Sequence, residues 1–252
     1  MMLKEQNKGT RCKEHSGNLE KDYICPMCSN TATSPEGEIK GYPFRCCLRC
    51  QFVFCPKVTP EYLGQLYTQG FHGPEDGAPK NGWSGNPSFL GPAFDIVQKE
   101  DLVILDFGTG QDIVPDQLRE EGYKVVAVDI APPLRPHPDR LTGDLIQLKL
   151  RPNQFDLIFS FQVFEHLPQP RPLLDELVRL AKPGGLVLIH TDMETPERDG
   201  QGFRNWWYAA PPDHCCFYRH KTFQVYLEDK PHRLVWKSPK SVIIKKNGSL
   251  VT

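Results

Sequence analysis

The chain has 252 residues, with 30 Lys+Arg against 31 Asp+Glu and a formal net charge of −1. That length fits one ordinary domain plus a small module, and the balance of charge excludes a chain that is one large nucleic-acid-binding surface. No stretch approaches the roughly 18 apolar residues of a membrane span. The polar start, Met1 to Asp22, lacks the apolar core of a signal peptide, so a cytoplasmic protein is expected, with its nine cysteines as reduced thiols or metal ligands.

Residues 1–22 are charged and poor in apolar side chains, which predicts a disordered tail. Residues 23–58 hold six of the nine cysteines. Cys25-Pro-Met-Cys28 precedes Cys47-Leu-Arg-Cys50 by 18 residues, the spacing of a four-thiolate zinc ribbon. Each C-x-x-C turn brings two thiolates toward one point, and two such turns close a tetrahedron with no open position for substrate, so the zinc is structural. Cys46 is an alternative ligand to Cys47, and Cys12 and Cys55 are spare.

Residues 59–94 are rich in Gly and Pro and read as a linker with aromatic anchors, with short helices near 60–68 and 88–99. From Leu102 onward strands and helices alternate. Leu102–Asp106 and Lys124–Asp129 are apolar runs that each end in an acid, with a helical stretch to Gly122 between them. Asp156–Ser160 is a strand, Arg171–Ala181 has helical spacing, Pro183-Gly-Gly is a stop, and Leu186–Ile189 is another strand. Continuous apolar strands between helices predict a parallel sheet covered on both faces. A helix over Lys221–Glu228 and strands near Leu234–Trp236 and Val242–Lys245 suggest an antiparallel addition at the sheet edge.

The glycine turn Gly108-Thr109-Gly110 follows a buried strand, where open parallel sheets bind ligands. Neither the third glycine of a dinucleotide fingerprint nor a Gly-Lys-Ser/Thr phosphate loop is present. Asp106, two residues before the first glycine, suits a ligand with a cationic amine. Asp129 ends the next strand, where a carboxylate can accept both ribose hydroxyls. Asp144 follows the third strand, where it could meet an exocyclic amine of adenine. Each acid also has a plainer reading as a cap or turn residue. Together the three describe a pocket for a cationic amino acid joined to adenosine.

Residues from about 95 to 246, within a domain read as 95–252, resemble the class I S-adenosylmethionine-dependent methyltransferases. Leu105-Asp-Phe-Gly-Thr-Gly110 matches the first motif of that family, with Asp112 in place of a third glycine. Val125–Asp129 matches the second, Phe155–Pro170 the fourth-strand segment, and Leu180–Leu186 the turn before the fifth strand. The resemblance implies an α/β, Rossmann-like seven-stranded sheet with its last strand antiparallel. It also implies a cofactor, S-adenosyl-L-methionine, on Asp106, Gly108, Thr109, Gly110, Asp129, Ile130, Asp144, Leu145, Phe161 and Gln162.

The candidate catalytic groups are His166, His190, His214 and Glu165, with His214 the first choice on the substrate side. Some metal-dependent relatives carry Glu-x-x-Glu-His, and RNA-directed ones add a later Asp-His-x-Phe. Here the first carboxylate is the amide Gln162, and Asp213-His-Cys-Cys-Phe217 has one extra residue, both of which argue against a hard cation. Cys215-Cys216 beside His214 could also offer a second metal site. Trp206, Trp207, Tyr208 and Tyr218 in a Pro-rich segment suggest an aromatic wall over a small-molecule acceptor. Three functions follow: a methyltransferase of small molecules, one of RNA, or a non-catalytic cofactor-binding protein. Charge disfavours RNA. Residues 1–60 hold 9 basic and 6 acidic side chains, 61–216 hold 13 and 23, and only 217–252, with 8 and 2, is densely basic. Oligomeric state is not legible.

Overall fold

Lys124–Asp129 is β-branched and apolar, which suits a strand buried on both faces, and it forms β5 beside β4 (Val103–Phe107). The computed structural model describes residues 23–68, 87–133, 136–193 and 203–248. The expected tail over 1–22 and the middle of the linker, 69–86, lie outside the described residues.

Strands β6 (Arg140–Thr142), β7 (Phe155–Phe161) and β8 (Ala181–His190) join β4 and β5 in parallel. Two more, β10 (Arg233–Ser238) and β11 (Ser241–Lys245), complete seven strands in the order β10-β11-β8-β7-β4-β5-β6. β11 runs antiparallel to β8, and β10 antiparallel to β11. The final strand is therefore reversed, as the resemblance implies. Helices α1 (Pro60–Thr68), α2 (Gly91–Val97), α3 (Val114–Glu120), α4 (Pro170–Leu180) and α5 (His220–Leu227) fall close to the stretches read as helical. Among the described residues no helix is long and apolar enough to cross a membrane.

One expectation needs correction. Pro183-Gly-Gly is not a stop between helix and strand, because α4 has already ended at Leu180 and β8 runs through it. The extra residues form a bulge, seen as the register change from Phe155–Ala181 to Leu157–Leu186. A Cβ at Gly185 would stand 2.9 Å from the Phe155 and Lys182 carbonyl oxygens, so a bare backbone is needed there.

The cysteine stretch, expected as a small N-terminal module over 23–58, builds a sheet compatible with that reading. Strands β1 (Thr33–Ile39), β2 (Tyr42–Cys47) and β3 (Val53–Phe54) form an antiparallel sheet whose fourth strand, β9, is Cys216–Phe217. A single apolar core runs from Phe44 and Phe52 through Phe217 and Tyr218 to Leu174 and Ile189. The small module thus shares its apolar core with the larger unit.

Candidate active site

The glycine loop leaves β4 and is tied back to β5. Gly108 and Thr109 N–H groups donate to the Val128 carbonyl, and Gly110 N–H donates to Asp129 Oδ2 at 2.8 Å. Asp129 Oδ1 also accepts from Ala131 N–H at 2.8 Å, so the carboxylate braces the loop while keeping acceptor capacity on each oxygen. Gly108 has φ +76°, and a Cβ there would lie 2.3 Å from Val163 Cγ2. Gly110 has φ +50° and open space where its Cβ would be. The first glycine therefore serves packing, and the second leaves room for a ligand. Asp112, in the place of a third glycine, accepts from the N–H groups of Ile113 and Val114 at the start of α3.

Asp106 is 3% exposed, and burial pushes its carboxyl from 3.8 up to about 7. The neighbouring Thr109 and Arg140 pull the other way without prevailing. A buried acid in that condition favours a cationic ligand group. Ile130 is exposed beyond Asp129, while Leu145 is buried. Asp144 Oδ1 accepts from Ile146 and Gln147 N–H groups, so it caps a turn.

Beyond β7 the chain enters a dense polar cluster. Gln162 takes the left-handed φ of 54°, unusual for a residue with a Cβ and typical of a constrained site. Glu165 is fully buried. Its Oε1 accepts the Tyr208 hydroxyl proton at 2.6 Å, and its Oε2 has no protein partner. Gln162 Oε1 lies 2.8 Å and Thr191 Oγ1 2.9 Å from the same hydroxyl, and burial with the adjacent Glu165 charge pushes the phenol pKa upward.

His166 Nδ1 meets Asp213 Oδ1 at 2.8 Å. Burial pulls its pKa down, but the Asp213 bond and charge win and hold it above the ordinary value. His214 Nδ1 donates to the Tyr208 carbonyl at 2.6 Å, and burial and then His166 press its pKa down. Both rings keep Nε2 clear of these bonds. Ligand atoms of Glu165, His166 and His214 lie within 4.8 Å of one another. The extra residue in Asp213–Phe217 thus does not keep His214 from the other two.

Of the four aromatic residues expected over an acceptor, only Trp207 is open, at 74% exposure. Trp206 packs on Phe217 and Tyr208. Tyr218 is a correction: its ring is buried among Phe52, Phe164 and Phe223, and its hydroxyl donates to the Phe164 carbonyl, so it is a core residue. Phe161 instead stacks on His190 at 4.8 Å and touches Phe89. Sequence reasoning missed Phe89; His190, one of the candidate bases, closes an apolar strand. His190 Nδ1 meets Ser241 Oγ at 2.7 Å, and burial lowers its pKa to about 4.

The cysteine centre has the expected set. Sγ of Cys25 lies 3.6 Å from that of Cys50, and Cys28 3.5 Å from Cys47. Four sulfurs about 2.3 Å from one zinc stand about 3.8 Å apart, so the cluster nearly has a zinc geometry. Each pair is followed by a left-handed residue, Ser29 or Gln51, whose N–H donates to the first cysteine carbonyl. Cys47, not Cys46, joins the cluster. Cys215 and Cys216 are not part of it: Cys216 Sγ donates to the Leu167 carbonyl.

Residues 80–230 match the methyltransferase domain family. The chain belongs to that family. Among curated proteins, it is 33% identical over 101 residues to a ubiquinone biosynthesis O-methyltransferase of Xylella fastidiosa, covering 35% of this chain and 41% of that one. It is 34% identical over 96 residues to a biotin biosynthesis bifunctional protein of Cellvibrio japonicus, covering 35% and 19%. The matches thus span less than half the length of these relatives. Among solved structures, a Burkholderia thailandensis 1,6-didemethyltoxoflavin-N1-methyltransferase with bound 1,6-didemethyltoxoflavin and S-adenosylhomocysteine superposes with a TM-score of 0.52 at 18% identity, covering 80% of this chain and 98% of that one. That likeness confirms the methyltransferase fold.

Proposed function

We propose that the protein transfers a methyl group from S-adenosyl-L-methionine to a small-molecule acceptor. The observation that carries this is the loop at Gly110. It is braced by Asp129, open above, and set beside the buried acid Asp106 at the C-terminal ends of parallel strands. The curated O-methyltransferase relative and the heterocycle-bound neighbour fit a small acceptor.

The residues fit the cofactor by their chemistry. Asp106 would hold the amine of the methionine part, the spare lone pairs of Asp129 would take the ribose hydroxyls, and Asp144 with Leu145 would border the adenine. Ile130, exposed beyond Asp129, would cover the base, and Thr109, Phe161 and Gln162 would complete the wall. Bound S-adenosylmethionine supplies a methyl group on a sulfonium, which leaves as a neutral thioether. Positioning therefore supplies much of the catalysis. His214, whose lowered pKa keeps it neutral, holds Nε2 ready to take a proton from a hydroxyl or amine acceptor. Asp213 orients His166, and Trp207 shields the acceptor from water.

A second reading has its own observation. Glu165 Oε2 lacks a partner, and both histidines have Nδ1 tied down with Nε2 outside those bonds, the usual arrangement of metal-bound imidazoles. A divalent cation would suit these three residues and would orient an acceptor oxygen. The four buried cysteines suit a structural zinc ion.

Calorimetry with S-adenosylhomocysteine tests the cofactor site, and absence of binding sinks the proposal. Transfer of labelled methyl to hydroxyl-bearing and heterocyclic acceptors, with and without added manganese, separates base from cation.

A further inference from the structure

We infer that the four-cysteine centre sets the position of Asp213 and His214, so that metal at Cys25, Cys28, Cys47 and Cys50 governs the acceptor side of the site and leaves the cofactor side unchanged. This rests on the reading of His214 as an acceptor-side group.

The connection is short and made of backbone. Cys47 ends β2, and its N–H donates to the Phe52 carbonyl across the second cysteine turn. The next residues, Val53 and Phe54, pair on one side with Cys46 and Arg45 and on the other with Phe217 and Cys216. Cys55 N–H then donates to the Cys215 carbonyl, and Cys215 N–H donates to the Glu165 carbonyl. His214 therefore sits two residues before a strand whose only sheet neighbour among the described residues is β3.

Side chains reinforce the same path. Phe52 packs on Tyr218 at 4.9 Å, and Phe44 on Phe217 at 5.6 Å. Thr222 donates to the Cys50 carbonyl, and Arg171 to that of Met27, so α5 and α4 also rest on the cysteine turns. A two-residue strand has little stability of its own, and small modules of this type take much of their order from the metal. The bonds that shape the glycine loop run instead to Val128 and Asp129. Loss of metal should therefore loosen residues 213–217 before it disturbs Asp106, Gly110 or Asp129.

The test uses the full chain loaded with zinc and labelled with 5-fluorotryptophan. Trp206 packs on Phe217 at 5.0 Å, whereas Trp236 lies on β10 in the other sheet. Of the four fluorine resonances that the four tryptophans give, Trp206→Phe and Trp236→Phe assign those of Trp206 and Trp236. On removal of zinc by chelation, and independently in Cys50→Ser, the Trp206 resonance should shift or broaden while that of Trp236 stays. S-adenosylhomocysteine affinity should change by less than about fivefold, the lower edge of a meaningful coupling. Reloading with cadmium should restore the Trp206 signal after chelation but not in Cys50→Ser. The inference is overturned if the chain takes up neither zinc nor cadmium, if Trp206 does not respond, or if both tryptophans respond together, which would mean general unfolding. If the loaded chain binds no S-adenosylhomocysteine, the functional reading fails, and the fluorine result still decides the coupling.

Discussion

Tyr208 gives its hydroxyl proton to Glu165 across 2.6 Å, and it is the only protein partner of that fully buried carboxyl among the described residues. A buried carboxyl with no donor at all is costly, so Tyr208→Phe should destabilise the protein by about 1–3 kcal/mol. The pair should behave as a unit. Glu165→Gln in the Tyr208→Phe background should cost less than in the parent chain, because the charge whose donor was lost is gone. Thermal or urea unfolding of the four proteins checks this, and additive losses would mean that the bond carries no coupling.

Val163 and Gly108 give a second, sharper case. A methyl on Gly108 would meet Val163 Cγ2 at 2.3 Å in a left-handed backbone, so Gly108→Ala carries both a clash and conformational strain. A loss of about 2–4 kcal/mol is expected, and Val163→Ala should recover only the clash. Gly110→Ala should differ in kind. Its methyl meets nothing, so stability should fall by only about 1–2 kcal/mol, while S-adenosylhomocysteine binding should be largely lost. Unfolding and calorimetry on the two variants separate packing from ligand space. Normal binding by Gly110→Ala would remove the ligand from this loop.

These contrasts show what a sequence can disclose. The central strands of the larger sheet were legible because each holds an apolar run, whereas β6, Arg140-Leu-Thr142, has none, and the acids at strand ends 106 and 129 could be read from order alone. The two cysteine pairs were legible because their geometry is local. What stayed hidden depends on contacts between distant segments. Cys216 and Phe217 carry no strand signal by themselves, and they are a strand only because β3 lies beside them. Tyr218 and Trp207 look alike in an aromatic segment, yet one fills the core and the other faces solvent. Gly108 and Gly110 look alike too, and only the position of Val163, 55 residues onward, tells them apart.

Asp129 joins two tasks, and its substitutions should show both. In Asp129→Ala, Gly110 and Ala131 lose their acceptor, which should cost about 1 kcal/mol of stability. The loss of two bonds from ribose hydroxyls to a charged acceptor should weaken S-adenosylhomocysteine by at least about 100-fold. Asp129→Asn keeps one acceptor oxygen for the loop and should fall between the two in both measurements. An Ala variant that binds as tightly as the parent would place the ribose elsewhere.

Asp106 predicts a pH dependence of definite sign. Burial raises its value from 3.8 to about 7, so the folded chain holds this proton more tightly than the unfolded chain does. The group therefore costs stability as pH rises from about 4 to about 7, and the cost is complete above that window. Binding should move the opposite way. An amine cation needs the ionised carboxylate, so S-adenosylhomocysteine affinity should rise between about pH 5.5 and about pH 8, and binding at the lower end should release a proton. Calorimetry in buffers of different ionisation enthalpy reads that proton directly. Asp106→Asn should bind weakly and without this pH trend, and its apo melting temperature should fall less than that of the parent over the same interval. If the parent affinity is flat across the range, Asp106 does not face the amine.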